Sequence, residues 1–125
     1  MDSIVLCGAN SYEEKYYFNK EFDALPQAVK DELRILCVLY TEDIGGILLL
    51  EFDPQGKLLF RVVSDPGDYL FDEIGSALKI KQYQSEKKEL LESLELYYRA
   101  FFMERKGPDD AFGKEEKDSG KDGSL

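Results

Sequence analysis

The sequence predicts an α+β domain with a four-stranded, mainly antiparallel sheet built from two hairpins, one helix between the hairpins and two C-terminal helices. Three observations predict this fold. Two pairs of apolar runs are each separated by a few turn-forming residues, and a stretch with helical spacing lies between the pairs. A long stretch with two helical stripes follows the second pair.

The first hairpin is predicted from "SIVLCGA" and "KYYFNKEF", two apolar or aromatic runs separated by the polar "NSYEE". This spacing and composition suit a short connection between antiparallel strands. Gly8 interrupts the first run, which indicates either a β-bulge or the close approach of another segment at this point.

A helix is predicted from about Pro26 to Thr41, because proline is tolerated in a first helical turn. The apolar residues with helical spacing are Val29, Leu33, Leu36, Cys37, Tyr40 and Ile44. The alternative is that "RILCVLYT" forms a buried strand, since the residues between these positions are also apolar. Under both interpretations the element ends at Gly45 and Gly46, which suit a C-terminal cap better than a phosphate-binding loop, since such a loop precedes a helix.

The second hairpin is predicted from "ILLLEF" and "LLFRVVS", joined by "DPQGK". Pro54 suits the second position of a type I turn and Gly56 suits the left-handed position that follows it. A calcium loop is excluded because Pro54 and Lys57 interrupt its pattern of oxygen ligands. With this turn the predicted cross-strand pairs are Phe52 with Leu58, Leu50 with Phe60 and Leu48 with Val62, and this wholly apolar face is the predicted core.

Two helices are predicted over residues 68–105. Asp68 is the expected N-cap of the first, and Asp72 and Glu73 are expected in its first turns, where carboxylates favour the helix dipole. The helical spacing of this segment comes from Leu70, Ile74 and Leu78, and that of the second from Leu90, Leu91, Leu94, Tyr98, Phe101 and Phe102. A bend is expected at "KIKQYQ", because one continuous helix would be about 57 Å long, although the continuous helix remains the alternative.

Residues 1–105 are the predicted single domain, and residues 106–125 are a predicted disordered acidic and glycine-rich tail. A domain of this length is ordinary for globular proteins. The tail is almost entirely charged residues, Gly and Ser, so it has too few apolar side chains to offset the entropy lost on ordering.

Charge and composition exclude several function classes. The chain has 16 basic and 26 acidic residues, a net charge of −10 that opposes binding to nucleic acid and to anionic membranes. The absence of histidine removes the commonest general base and zinc ligand. "MDSIVLC" lacks the features of a signal peptide, so we expect a cytoplasmic protein with Cys7 and Cys37 reduced.

Eight carboxylates fall between Glu42 and Glu73 and could converge on one Mg²⁺ or Ca²⁺ site. The alternative is that turns and helix caps use them individually. The eight residues are Glu42, Asp43, Glu51, Asp53, Asp65, Asp68, Asp72 and Glu73. We favour the structural roles, and we therefore predict no enzyme activity, no catalytic or metal-binding residue and no cofactor.

The second face of the predicted central hairpin is the candidate interface. Four of its six residues are aliphatic, although a solvent-exposed face is normally polar, and Glu51 and Arg61 are diagonal neighbours that can pair. The six residues are Ile47, Leu49, Glu51, Leu59, Arg61 and Val63. Either one of the chain's own helices covers this face, or it is a dimer or partner interface.

The segments "EDIGG", "FDPQGK", "DYLFDEIGS" and "LLESLELYYRAFF" resemble a family of small bacterial proteins classed only as a domain of unknown function, over about Ile4 to Arg105. The resemblance implies a bacterial cytosolic origin and assigns no activity or site residue. The predicted function is a small interaction module that binds a protein partner or forms a homodimer through the sheet face. The alternative is an acidic immunity-type inhibitor or nucleic-acid mimic that binds a basic protein, and the sequence identifies no small-molecule ligand.

Overall fold

The computed structural model describes residues 2–103, and within them it contains a four-stranded antiparallel sheet and three α-helices. The strand order is β2-β1-β3-β4. The elements are β1 (Ile4–Asn10), β2 (Lys15–Phe18), a 3₁₀ turn (Lys20–Phe22), α1 (Gln27–Asp43), β3 (Ile47–Phe52), β4 (Leu58–Val63), α2 (Glu73–Glu86), α3 (Lys88–Tyr98) and a π-helical turn (Arg99–Met103). The predicted α+β fold is confirmed.

Backbone contacts divide the chain into two units after Leu91. The first contains the sheet, α1 and α2. The second unit begins within α3. In this unit the Tyr98 ring at the end of α3 stacks on the Phe102 ring of the π-helical turn, with centroids 5.2 Å apart. The predicted tail, residues 106–125, lies outside the described residues, and the prediction of one domain over residues 1–105 stays a prediction.

The loop of the first hairpin is closed by Asn10, whose side-chain oxygen accepts hydrogen bonds from the backbone N–H groups of Tyr12 and Glu13. The strands pair from Asn10 with Lys15 to Cys7 with Phe18. A register irregularity falls at Leu6, between Val5 and Cys7 and two residues before Gly8. Gly8 itself meets the prediction of a close approach, because a Cβ there would lie 2.5 Å from Leu49 Cδ2.

The second hairpin has the predicted register, with Phe52 opposite Leu58 and Leu48 opposite Val62. The Asp53 N–H donates to Lys57 O at 2.9 Å, and the Gly56 N–H donates to Asp53 O at 2.8 Å with φ 85° at the glycine. Asp53 Oδ1 also accepts from the Gln55 and Lys57 N–H groups, so its carboxylate holds the turn.

Helix α1 confirms the helical interpretation of "RILCVLYT", and the strand alternative is wrong. Its end is capped as predicted: Gly45 has φ 94° and its N–H donates to Thr41 O at 2.9 Å. The helix buries one side, and its residues Ile35 and Leu39, which made the strand interpretation plausible, remain 58% and 52% exposed.

Helix α2 begins later than predicted. Asp72 is its N-cap, with Oδ1 accepting from the Gly75 N–H at 2.8 Å. Asp68, the predicted N-cap, instead accepts a hydrogen bond from Tyr12 Oη at 2.7 Å, which ties the turn before α2 to the loop of the first hairpin. Aspartate suits an N-cap at either position, and Asp72 is the one that α2 uses.

Two helices are present as predicted, α2 and α3, but the break between them is at Lys87 and not at "KIKQYQ". Lys87 has φ −107° and ψ 22°, outside the helical region, and its side chain reaches across to Glu32 at 3.1 Å. The prediction of two helices separated by a bend is therefore correct, but the predicted position of the bend is wrong.

The main core lies between α1 and one face of the sheet. This face carries the predicted apolar set, of which Leu48, Leu50 and Phe52 have no exposed surface. Helix α2 is joined to α1 by the hydroxyls of Tyr40 and Ser76, 2.5 Å apart, and by an ion pair between Lys79 and Asp43 at 2.9 Å. Helix α2 therefore lies along α1.

Candidate interaction surface

The structure brings all six predicted interface residues together on the sheet face opposite α1, which we call the open face. The cross-strand pairs are Ile47 with Val63, Leu49 with Arg61 and Glu51 with Leu59. Strands β1 and β2 extend this face, because Gly8 pairs with both Leu49 and Tyr17.

Aliphatic and aromatic side chains of the open face remain in contact with solvent. Tyr17 is 54% exposed, Leu59 41% and Val63 37%. A shallow groove of about 600 Å³ crosses the face, and its lining includes Val5, Gly8, Tyr17, Ile47 and Leu49. Within the described part of the first unit, α1 packs on the other face of the sheet and α2 lies along α1. Neither of these helices therefore covers the open face, as the alternative to a partner interface required.

Glu51 and Arg61 form the predicted diagonal pair on this face. Arg61 Nε donates to Glu51 Oε2 at 2.9 Å. Glu51 is only 7% exposed, whereas the Arg61 side chain is 58% exposed. The guanidinium therefore neutralises a carboxylate that is almost out of contact with water, and the open face carries an internally balanced charge among its aliphatic residues.

A second exposed apolar surface lies on α2, and the sequence reasoning did not identify it as a site. Leu70 is 94% exposed, Ile74 76% and Leu78 63%. Ile74 and Leu78 lie on the side of α2 away from α1, because Ser76 and Lys79 make the contacts with α1. The spacing i, i+4 was visible in the sequence, but it indicates only that residues share a side and does not show whether another element covers that side.

The two cysteines form a buried pair between β1 and α1. Cys7 Sγ lies 3.9 Å from Cys37 Sγ, and neither residue has exposed surface. Contact with the Cys7 thiol and burial raise the pKa of Cys37 far above its usual range. A thiol held neutral is a poor nucleophile, so Cys37 packs here as a small apolar residue.

Tyr16 lies beside this pair and lines a cavity of about 470 Å³, whose other lining residues include Lys15, Arg34 and Glu42. Burial, followed by the neighbouring thiols of Cys7 and Cys37, raises the pKa of Tyr16 well above its usual value. Among the described residues its hydroxyl has no hydrogen-bond partner. The hydroxyl therefore remains protonated at neutral pH and is not a general base.

The candidate carboxylates are dispersed among local structural roles. Asp53 and Asp65 each accept hydrogen bonds from backbone N–H groups in turns, and Asp72 caps α2. Over residues 2–103 there is no group of three or more Asp, Glu, Cys or His side chains placed to hold a metal ion. In the same residues, every helix is too short or too polar to cross a membrane.

Comparison with models of protein families gives one match, which extends over residues 3–106 and so includes every element of both units. The chain belongs to the DUF6145 family. DUF6145 is described as a family of unknown function, and the match confirms the resemblance inferred from the sequence. No curated protein and no solved structure matches this DUF6145 chain, so the interpretation of its two exposed apolar surfaces depends on their physical chemistry.

Proposed function

We propose that this DUF6145 chain is a non-catalytic protein-interaction module of the bacterial cytoplasm, and that it binds a protein partner through the open face. The observation that supports this most directly is the group of aliphatic residues Ile47, Leu49, Leu59 and Val63 on a sheet face that neither α1 nor α2 covers. Contiguous exposed apolar surface on a folded protein is typical of interaction sites.

The energetics of the open face favour docking. Removing about 40 Å² of each aliphatic side chain from water at ~25 cal/mol per Å² stabilises a complex by about 1 kcal/mol per residue. Glu51 already has its partner in Arg61, so a protein that covers the face does not leave an unpaired carboxylate behind.

The charge of the open face favours an apolar partner surface over a basic one. Arg61 lies beside Glu51, and Lys15 lines the groove together with Glu13, so the acidity of the chain, −10 overall, is not concentrated on this face. The acidic inhibitor or nucleic-acid mimic expected as an alternative requires an acidic docking surface. Salt separates the two: binding to the open face should change little between 50 and 500 mM NaCl, whereas charge-steered binding falls steeply.

The cytoplasmic assignment is supported by the buried thiol pair, since two reduced cysteines 3.9 Å apart suit a reducing compartment. The proposal that the module is not an enzyme is supported by the neutral, buried state of Cys37 and by the dispersal of the carboxylates among turns and caps.

Site-specific photo-crosslinking in the native cell tests the proposal. A photoreactive residue replaces Leu59 on the open face in one variant and Gln55, exposed in the hairpin loop, in a matched control. We expect a discrete adduct from position 59 only, and its mass distinguishes a second copy of the chain from another protein.

The same adduct should be lost when Leu49→Lys is added, with the fold checked by circular dichroism. If Leu49→Lys unfolds the chain, Val63→Lys at a more exposed position of the face replaces it. Equal labelling from positions 59 and 55, or labelling that survives the lysine substitution, contradicts the proposal.

A further inference from the structure

Helix α2 carries a stripe of exposed residues with the spacing of a helix–helix contact. Ile74, Ala77, Leu78 and Lys81 follow the i, i+3, i+4, i+7 pattern, and all four are exposed. Leu70, in the turn that precedes the helix, is 94% exposed. We call the four helical residues Ile74, Ala77, Leu78 and Lys81 the α2 stripe. It lies on the opposite side of α2 from Ser76 and Lys79, which contact α1.

Two residues of opposite charge mark the ends of the α2 stripe: Glu73, which precedes Ile74, and Lys81, the last residue of the stripe. Glu73 lies in the first turn of α2, and Lys81 lies two turns further on. Both are exposed, and within the described residues neither takes part in an ion pair, whereas Lys79 and Lys87 are paired with acids of α1. The stripe thus presents an unpaired negative charge at one end and an unpaired positive charge at the other.

We propose that α2 packs antiparallel against α2 of a second copy of this chain, with the two-fold axis beside Ala77. Glu73 and Lys81 are equally distant from this residue, since 77 − 73 = 81 − 77 = 4. A two-fold axis at Ala77 therefore brings Glu73 of each copy to the level of Lys81 of the other. The two helix dipoles also run in opposite directions in this arrangement.

The side chains of the stripe suit this packing. Alanine at the axis allows two helices to approach to about 8–10 Å. Ile74 of each copy then lies two residues along the helix from the level of Leu78 of the other copy, so that these two exposed side chains can bury against each other. A second copy is the occupant indicated by charge complementarity, because it supplies an acid and a base in reversed order at matching distances. The pairing uses a different surface from the proposed function and leaves the open face free.

Sedimentation of the full chain between about 10 µM and 1 mM measures this association. The stripe is smaller than a standard interface of about 1,200–2,000 Å², so we expect a concentration-dependent dimer and not a permanent one. Ile74→Lys or Leu78→Lys should weaken the dimer by about tenfold or more, because each substitution occurs twice in a two-fold interface. Ile35→Lys is the matched control, an exposed apolar residue on a helix outside the stripe, and it should leave the dissociation constant unchanged.

Charge exchange tests the antiparallel register. Glu73→Lys and Lys81→Glu should each weaken the dimer, and the double variant should restore it to within about threefold of the wild-type dissociation constant. The double variant retains the lysine at the helix N-terminus, so its recovery is not due to repair of the monomer. Thermal unfolding of each variant should confirm that the monomer remains folded.

Three outcomes overturn the inference: a wild-type chain that remains monomeric at 1 mM, a dimer unaffected by Ile74→Lys and Leu78→Lys, or no recovery in the charge exchange. Leu49→Lys on the open face separates this inference from the proposed function. It should leave the α2 dimer intact. If Leu49→Lys abolishes self-association and the stripe variants do not, the second copy binds the open face and the pairing through α2 is wrong.

Discussion

Arg61 and Glu51 form an ion pair whose two partners have very different contact with water. The guanidinium Nε lies 2.9 Å from Glu51 Oε2; the Glu51 side chain is 10% exposed and the Arg61 side chain 58%. Glu51 belongs to a central strand between β1 and β4, whereas Arg61 belongs to the edge strand β4. The carboxylate is therefore desolvated mainly by the fold, and the arginine supplies the charge that makes this burial tolerable.

Arg61→Ala should lower the free energy of unfolding by about 1–2 kcal/mol, because it leaves a nearly buried carboxylate without its partner. This expected loss is smaller than that for a fully buried ion pair, because water screens the exposed guanidinium. Lys15→Ala is the control on the same face, and it should have an effect within about 0.5 kcal/mol. Urea denaturation measures both. A loss no larger for Arg61→Ala than for Lys15→Ala would contradict the pairing.

Gly8→Ala should destabilise the chain by about 1–3 kcal/mol, because the added methyl overpacks a tight contact. A Cβ at this position would lie 2.5 Å from Leu49 Cδ2 and 2.7 Å from the carbonyl oxygen of Leu48. Adding Leu49→Ala should recover only part of the loss, since the clash with the backbone carbonyl remains. Gly67→Ala, where the nearest atom would be 3.5 Å away, is the control and should change stability by less than about 1 kcal/mol.

Tyr16→Phe and Tyr40→Phe should have opposite effects at neutral pH. Among the described residues Tyr16 Oη is buried without a hydrogen-bond partner, so its removal should leave the free energy of unfolding unchanged or raise it by up to about 1 kcal/mol. The Tyr40 hydroxyl bonds to Ser76 Oγ in the core, so Tyr40→Phe should cost about 1–2 kcal/mol. Thermal denaturation measures both variants, and equal losses would show that the Tyr16 hydroxyl has a partner after all.

Stability should fall as the pH rises above about 10. Burial raises the pKa of Tyr16, Tyr40 and Tyr83 above the ordinary value of 10.0. In the unfolded chain these tyrosines lose their protons near pH 10, while in the folded chain they keep them, so the unfolded state binds fewer protons in this range. The contribution of these tyrosines to the free energy of unfolding is complete below pH 10. It is lost as the pH rises towards their pKa values in the folded chain. Urea midpoints from pH 9 to 11 should fall less steeply for Tyr16→Phe than for the wild type, and parallel curves would contradict this assignment.

Much of the fold was predictable because it depends on local rules. The loop "DPQGK" determines the register from Phe52 and Leu58 onward, and the two-residue periodicity of strands then places Glu51 and Arg61 on one face. Gly45 ends α1 in the left-handed conformation that glycine adopts without strain. The predictions that failed depended on contacts between distant residues. Asp72 caps α2, and Asp68, the predicted cap, is instead bonded to Tyr12, which lies more than fifty positions earlier in the chain.

By itself, the sequence determined which residues share a side of each element, since the spacing of apolar residues follows directly from helix and strand geometry. Only the tertiary structure decided which of those sides are covered. The spacing of Ile74 and Leu78 is the same as that of the buried residues Leu33 and Cys37 of α1, yet α1 packs on the sheet and α2 turns its polar side, with Ser76 and Lys79, towards α1. The physical reason is that burial depends on the arrangement of whole elements in space, and the pattern along one segment carries no information about what another segment will place against it.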